Sequence, residues 1–443
     1  MNRPVGVDLF AGAGGLSLGF EQAGFDIAAA VEVDPVHAAT YKFNFPECTV
    51  IPQSVFHLTG EEIRKKAGLE DCDIDVVFGG APCQGFSLIG QRALDDPRNS
   101  LVREFVRLVD ELGAKYFVFE NVKGLTLGKQ KHFLLELIEE FKAVGYNAQT
   151  EWKVLNAHSY GVPQFRERLF LLGARKGLTV PDYPDPITTS PGEKSPDLPL
   201  TPTCRDALGD LPEAEDYDAL LETDEVQTEE WDTPSDYALQ MRCENDEGWG
   251  YGYPRTWNPQ LLTSSLRTKH TDISRRRFKQ TEGGRTEPIS RFYKLKADGV
   301  SNTLRAGTNS ARGAFTSPRP IHYAAPRCVT VREMARLHGF PDWFRLHMTK
   351  WHGARQIGNA VPPPLARKVA EKVIEALGTE PSRPNRTLVL GDRKLIRMEM
   401  EFASEYWGVL NPIAKRNMKS GAKKRKQHEI ETEMTATVTL SET

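Results

Sequence analysis

Four groups of residues in this 443-residue chain have side chains and spacings suited to chemistry. Cys83 lies in Gly79-Gly80-Ala81-Pro82-Cys83-Gln84-Gly85-Phe86-Ser87, directly after an apolar run over 74–78. A thiol in a glycine-flanked loop at a strand end is accessible, and a neighbouring positive charge makes it a thiolate nucleophile. A free cysteine taken alone is more commonly an inert small hydrophobe. Glu120-Asn121-Val122 closes a second apolar run, and a carboxyl beside apolar walls has its pKa raised. That suits proton donation or a hydrogen bond to a ring nitrogen; the alternative is a capping or surface glutamate. In Gln164-Phe165-Arg166-Glu167-Arg168, period-two spacing puts Arg166 and Arg168 on one face. Two guanidiniums there suit a thiolate, a base carbonyl or a phosphate, with surface salt bridges as the alternative. Finally, Asp8-Leu9-Phe10-Ala11-Gly12-Ala13-Gly14-Gly15 is a glycine loop, and Glu32 falls where a carboxylate binds a ribose diol. Ser17 stands where a dinucleotide fingerprint needs its third glycine, so the loop fits a nucleoside without a required pyrophosphate. A turn that needs glycine for packing alone is the competing reading.

The elements around these residues alternate. Strands are expected over 5–10, 28–33, 74–78, 116–120, 151–155 and 169–173, with helices over 16–23, 35–43, 101–112 and 133–144. Such alternation implies an α/β fold with a Rossmann-like, mostly parallel sheet and helices on both faces. The last two strands are close enough to form an antiparallel pair. Prolines crowd the stretch 181–202, which reads as a linker. From about 200 to 325 the chain is polar and lacks long periodic runs, as in a smaller irregular domain rich in short strands and loops. Helices return over 329–337 and 362–377, and the tail from 381 is expected to be at least partly disordered.

Composition is that of a soluble globular protein, with 39% hydrophobic and 26% charged residues. The net charge of −3 hides a strong asymmetry. Residues 201–250 hold 16 Asp/Glu against Arg205 and Arg242, whereas residues 255–336 hold 17 Lys/Arg against 5 Asp/Glu. The basic block suits a polyanion, with the acidic block on a face turned away from it; two solvated surfaces that partly neutralise each other are the alternative. Six cysteines without a C-x-x-C pair argue against a zinc site or a disulfide framework. There is no apolar run long enough to span a membrane and no signal-peptide pattern, so a cytoplasmic protein is expected.

Taken in order, the strings resemble the S-adenosylmethionine-dependent DNA (cytosine-5)-methyltransferase family of the bacterial restriction–modification type. Asp8–Gly15 is similar to the family's cofactor loop and Glu32-Val33-Asp34 to its ribose-binding acid. Gly80–Gln84 resembles the catalytic loop, Glu120-Asn121-Val122 the Glu-Asn-Val motif, and Gln164–Arg168 the Gln-x-Arg-x-Arg motif. Arg332–Leu337 with Gly339-Phe340-Pro341 resembles the helix that organises the target domain, and Gln356–Pro362 the final motif.

The resemblance implies that Cys83 attacks C6 of a cytosine flipped out of double-stranded DNA, while Glu120 holds and protonates N3. Arg166 and Arg168 assist, with Arg168 against the base. Cofactor contacts fall on Phe10, Gly12, Gly14, Leu16, Glu32, Val33, Pro82, Leu101 and Asn359, and no metal is implied. DNA contacts fall on Gln84, Ser87, Arg275, Arg276, Arg277, Thr303 and Arg305, with Thr303-Leu304 matching a family pair at the start of a recognition loop. Arginine–guanine pairing favours a target containing G·C pairs. Implied domains are a catalytic domain over 1–185 completed by 350–380, a target-recognition domain and hinge over 186–345, and the extension 381–443. The implied partners are DNA and a cognate restriction endonuclease, with the enzyme acting as a monomer. Two positions depart from the family: Ser54 stands where an aspartate often holds the adenine amino group, and Ile89 where a small polar residue helps fill the space left by the flipped base. A transfer-RNA enzyme is disfavoured because the Cys-Phe-Thr tripeptide of that branch is missing, and a binding protein without catalysis because Cys83, Glu120, Arg166 and Arg168 are all present.

Overall fold

The computed structural model describes residues 3–82, 99–126, 131–190, 197–307 and 318–411. The chain opens with β1 (Val5–Leu9), α1 (Gly15–Ala23), β2 (Asp26–Val31), α2 (Pro35–Asn44), β3 (Thr49–Ile51), α3 (Gly60–Ala67), β4 (Val76–Gly79), α4 (Ser100–Glu111) and β5 (Tyr116–Val122). Next come α5 (Lys131–Ala143), β6 (Tyr146–Ala148), β7 (Lys153–Asn156) and β8 (Glu167–Arg175). The polar region contains α6 (Cys204–Leu208), β9 (Val226–Gln227), α7 (Asp236–Met241), α8 (Asp246–Trp249), β10 (Arg255–Thr256), β11 (Leu261–Leu262) and α9 (Asp272–Gln280). The chain then returns through α10 (Val331–His338), α11 (Lys350–Asn359), α12 (Pro363–Leu377), β12 (Leu388–Val389) and α13 (Met400–Trp407).

The main sheet has the order β3-β2-β1-β4-β5-β8-β6, with β7 also on β8. The pairs among β1 to β5 are parallel, and β8 runs antiparallel to β5, β6 and β7, as the spacing of the last strands suggested. Strand direction explains the two cores. Val77, Phe117, Phe119 and Leu171 point to one face against Phe105 and Phe141 of α4 and α5. Val76, Phe78, Val118 and Leu172 point to the other, against Phe20 of α1 and Leu365, Val369 and Val373 of α12. The second face is thus closed by a helix from the far end of the chain. Strand order reverses between β1 and β4, where open α/β sheets leave a crevice at the strand carboxyl ends.

The polar region is irregular, but its regular elements are mainly short helices rather than the expected strands; β9, β10 and β11 have two residues each. The cause is local: Thr203, Ser235, Asn245 and Thr271 each accept a backbone N–H at a helix start. The start of the proline-rich stretch is held in place, since Tyr160 and Gln149 donate to the carbonyls of Pro184 and Pro181. Of the tail, residues 381–411 fold back, β12 pairing with β10 and α13 lying on α2. The Lys/Arg cluster beginning at Lys415 lies outside the described residues.

Every residue of α10 is buried, including Arg332, Glu333 and Arg336. Arg336 donates to Asp342 (2.6 Å, from Nε to Oδ1) and to Asp210 (3.0 Å, from Nη1 to Oδ1). Arg327 joins Glu333 to Glu213, Arg345 pairs with Asp224 and Glu225, and Arg275 and Arg267 pair with Glu215 and Asp218. Members of the acidic block therefore pair with members of the basic block, as the reading of partial mutual neutralisation expected. Removing one member of a buried pair leaves an uncompensated charge, so Arg336→Ala is expected to cost about 3–5 kcal/mol. Urea unfolding checks this, and a loss below about 1 kcal/mol would contradict it.

Candidate active site

A cavity of about 580 Å³ opens where β1, β2, β4 and β5 end, and residues 358–361 at the end of α11 close it. The loop after β1 forms its floor. Phe10 adopts φ 66° and Gly12 φ 57°, left-handed conformations that turn the backbone under the cavity. A Cβ on Gly12 would meet nothing within 4 Å, so backbone lies open to a ligand there. Glu32 accepts the N–H of Gly12 at 2.7 Å and of Asp34 at 2.8 Å. Burial pushes its carboxyl pKa up, reinforced by Asp34 and opposed by His37 and the two N–H groups. Asp34 is held low: burial works upward, but His37, Arg355 and the helix N–H groups outweigh it. The exposed side chain of Val33 and those of Leu16, Pro82 and Leu101 supply apolar wall.

Across the cavity stands Glu120, 9% exposed, with Arg168 Nε 3.0 Å from its Oε1. Burial raises the Glu120 pKa while Arg168 and Arg166 draw it down. Gly80 makes the room: a Cβ there would come within 2.5 Å of Glu120 Oε2. Asn121 Nδ2 donates to Ala81 O at 2.9 Å and pins the loop that leads to residue 83.

Of the expected cofactor residues, Phe10, Gly12, Leu16, Glu32, Val33, Pro82, Leu101 and Asn359 line this cavity, together with Ser54 at the departing position. Gly14 does not: it takes φ 99° before α1, and a Cβ would strike the Phe45 ring at 2.5 Å, so it serves the turn and packing. Cys83, Gln84, Ser87 and Ile89 lie outside the described residues. Arg166 is a correction. Its guanidinium is fully buried and donates to the carbonyls of Leu304 (3.0 Å), Gly358 (2.8 Å) and Ala360 (2.8 Å), so it builds the site and does not face the cavity.

The DNA-side residues divide as well. Arg275 is tied to Glu215 and Arg277 lies 3.4 Å from Glu287, leaving Arg276 and Arg305 exposed. The Thr303 hydroxyl donates to Phe165 O at 2.7 Å, and Leu304 N to Gln164 Oε1 at 3.0 Å, seating that strand beside the arginine pair. Sequence reasoning missed Asp34 as a binding-wall residue, His37 and Arg355. Asp34 caps α2 and pairs with Arg355 of α11 at 2.9 Å, a contact between stretches too far apart in the chain for spacing to show. Among the described residues no His, Cys, Asp and Glu cluster could hold a metal, and no helix is long and apolar enough to cross a membrane.

A nucleoside-sized cavity with a carboxylate at one end and a buried carboxyl–guanidinium pair at the other can hold a group donor against a heterocyclic base. Comparisons with known proteins agree. The family profile described as C-5 cytosine-specific DNA methylase matches residues 5–375. The Type II methyltransferase M.XorII of Xanthomonas oryzae is 55% identical over 416 residues, 94% of this chain and 95% of the relative. Type II methyltransferase M1.HphI of Haemophilus parahaemolyticus is 32% identical over 83% of this chain and 86% of its own. A crystal structure described as a DNA modification methyltransferase encoded within an E. coli prophage superposes with a TM-score of 0.67 at 32% identity, covering 85% of this chain and 99% of that one.

Lysine cannot reproduce the fork that Arg166 offers to three carbonyls. Arg166→Lys is therefore expected to lower stability by about 2–4 kcal/mol, since buried acceptors lose charged donors. Denaturant unfolding measures it; an unchanged midpoint would mean that the three carbonyls are held by something else.

Proposed function

The chain belongs to the C-5 cytosine-specific DNA methylase family, and from that premise we propose how this DNA (cytosine-5)-methyltransferase works: it transfers a methyl group from S-adenosylmethionine to C5 of a cytosine flipped out of a specific duplex sequence, through a bond between Cys83 and C6. One observation carries the reading. Glu32 and Gly12, suited to a ribose, and Glu120 and Arg168, suited to a base, face the same cavity, whose wall also holds Pro82, the residue before Cys83.

The residues present fit the cofactor. Glu32 offers its carboxylate to the ribose diol, Gly12 leaves backbone open, and Val33 and Leu101 give apolar surface to a purine. S-adenosylmethionine supplies the methyl group that C5 accepts.

Cytosine C5 is a poor nucleophile, and Cys83 changes that. Its thiolate sulfur bonds to C6 and the C5–C6 electron pair moves toward C5, making the ring enamine-like. Glu120 gives a proton to N3, which offsets the negative charge building in the ring. Arg168 orients the Glu120 carboxyl through their 3.0 Å contact and faces the base. Loss of the C5 proton restores the C5–C6 double bond and expels the Cys83 thiolate. Thr303, Arg305 and Arg276 serve the DNA backbone, together with Gln84 and Ser87. The enzyme acts in the cytoplasm on nucleoid DNA, as a monomer that protects the site of a cognate Type II endonuclease.

Expression of the wild type and Cys83→Ala in a host free of cytosine methylation tests this directly. The wild type is expected to place 5-methylcytosine at one sequence only, and Cys83→Ala to place none while still binding that sequence. Modified DNA from the variant would overturn the covalent step. The pH dependence follows from Glu120. Its raised pKa means that the proton is retained to higher pH than in an exposed glutamate and is lost as pH rises through that raised value. Methyl transfer should therefore decline on the alkaline side, and Glu120→Gln should lose that decline while slowing transfer about a hundredfold or more. Single-turnover rates with radiolabelled cofactor decide it, and an identical profile in the variant would exclude Glu120 as the proton donor.

A further inference from the structure

Residues 391–407 follow the stretch matched by the family, which ends at 375, and take no part in the chemistry above. They nevertheless touch both helices that wall the cofactor cavity. Asp34 and His37, at the start of α2, and Arg355 and Asn359, on α11, all line that cavity. The two helices meet at the Asp34–Arg355 pair, and behind it Gln356 Nε2 donates to Thr40 Oγ1 at 2.9 Å.

The C-terminal segment grips α2 first. Leu395 and Ile396 pack on Ala39 and Phe43. The Trp407 indole N–H donates to Pro35 O at 3.2 Å, one residue from Asp34 and at the turn that presents it. The same segment grips the approach to α11. Met348 N donates to Ile396 O at 2.9 Å, His347 Nε2 lies 3.1 Å from Met398 O, and His352 Nε2 lies 3.5 Å from Glu399 Oε2. Burial holds His352 down at about 3, so that last contact is made by a neutral ring and does not depend on charge.

We propose that residues 391–407 form a clamp that sets the separation of α2 from α11 and thereby the affinity of the cavity for its cofactor. The clamp rests on the reading that this cavity takes S-adenosylmethionine. Its residues are positioning residues: none lines the cavity, and each acts through Asp34, His37 or Arg355. A displacement of about 1 Å in a wall suffices to weaken a preorganised site.

Full-length Trp407→Ala and the double variant Leu395→Ala/Trp407→Ala test it, with Trp407→Phe keeping the ring but not the donor. Affinity for S-adenosylhomocysteine is read by calorimetry at a temperature where each variant is fully folded by circular dichroism. The clamp predicts about five- to tenfold weaker binding in Trp407→Ala, more in the double variant and an intermediate loss in Trp407→Phe. The KM for S-adenosylmethionine should rise by the same factor, with kcat within about twofold and duplex affinity unchanged. Unchanged cofactor affinity in folded Trp407→Ala would remove the clamp alone. Parallel losses of cofactor and DNA affinity would replace it with general destabilisation. A wild type that binds no S-adenosylhomocysteine would remove the cofactor reading, and the clamp with it.

Discussion

The guanidinium of Arg166 stands where three distant stretches of chain meet. It leaves the start of β8, reaches Leu304 at the edge of the polar region, and reaches Gly358 and Ala360 in the closing wall of the cavity. None of these partners is a carboxylate. A fully buried cation served by carbonyl dipoles is costly: burial, and then Arg168, push its pKa well down, while Glu120 pulls the other way. Its Nε has no partner among the described residues. The planar fork suits this arrangement because its two terminal nitrogens aim donors in fixed directions, Nη1 at Leu304 O and Nη2 at Gly358 O and Ala360 O. Backbone carbonyls in irregular chain have few other donors, and leaving them unmet in the interior costs about 1–3 kcal/mol each.

How legible this was in the sequence depends on whether a residue's role is set locally. The strands feeding the crevice were readable because buried parallel strands form apolar runs, and Glu120 was readable because it ends one. β3 and β6, with three residues each, are too short to show a period. Arg168 lies in β8 and lines the cavity, whereas Arg166, the residue before the strand, does not. Period two gives direction; depth is decided by what packs above, here the extended segment at residue 304 and the end of α11 at 358–360. The buried arginines of α10 are the same lesson on a larger scale. The partners that let Arg332 and Arg336 be buried, Asp342, Asp210 and the Thr263 hydroxyl, come from stretches that no local spacing links to the helix.

Charge distribution shows where counting along the chain stops being informative. The −14 and +12 blocks are covalent neighbours, and several of their members are ion pairs in space. Glu215 is held below its usual pKa, burial being outweighed by Arg275, Arg327 and Arg267. Positive charge available to a polyanion is thus smaller than the count suggests and is concentrated on exposed side chains such as Arg276 and Arg305. Paired arginines hold the fold; exposed ones set the salt dependence of binding.

These contacts tie two stretches on either side of Arg166 into one static framework. Thr303 and Leu304 belong to the strand that DNA should engage, and Gly358–Ala360 to the wall that the cofactor should engage. Arg166 bonds to both, and Gln164 adds a second tie through Leu304 N on one side and Leu337 O and the His338 ring on the other. Arg166 cannot move toward either stretch without uncovering buried carbonyls of the other. The wall that bounds the space beside Glu120 and Arg168 is thus positioned by a residue outside the cavity, which holds the carbonyls of Gly358 and Ala360 in that wall and of Leu304 beyond it.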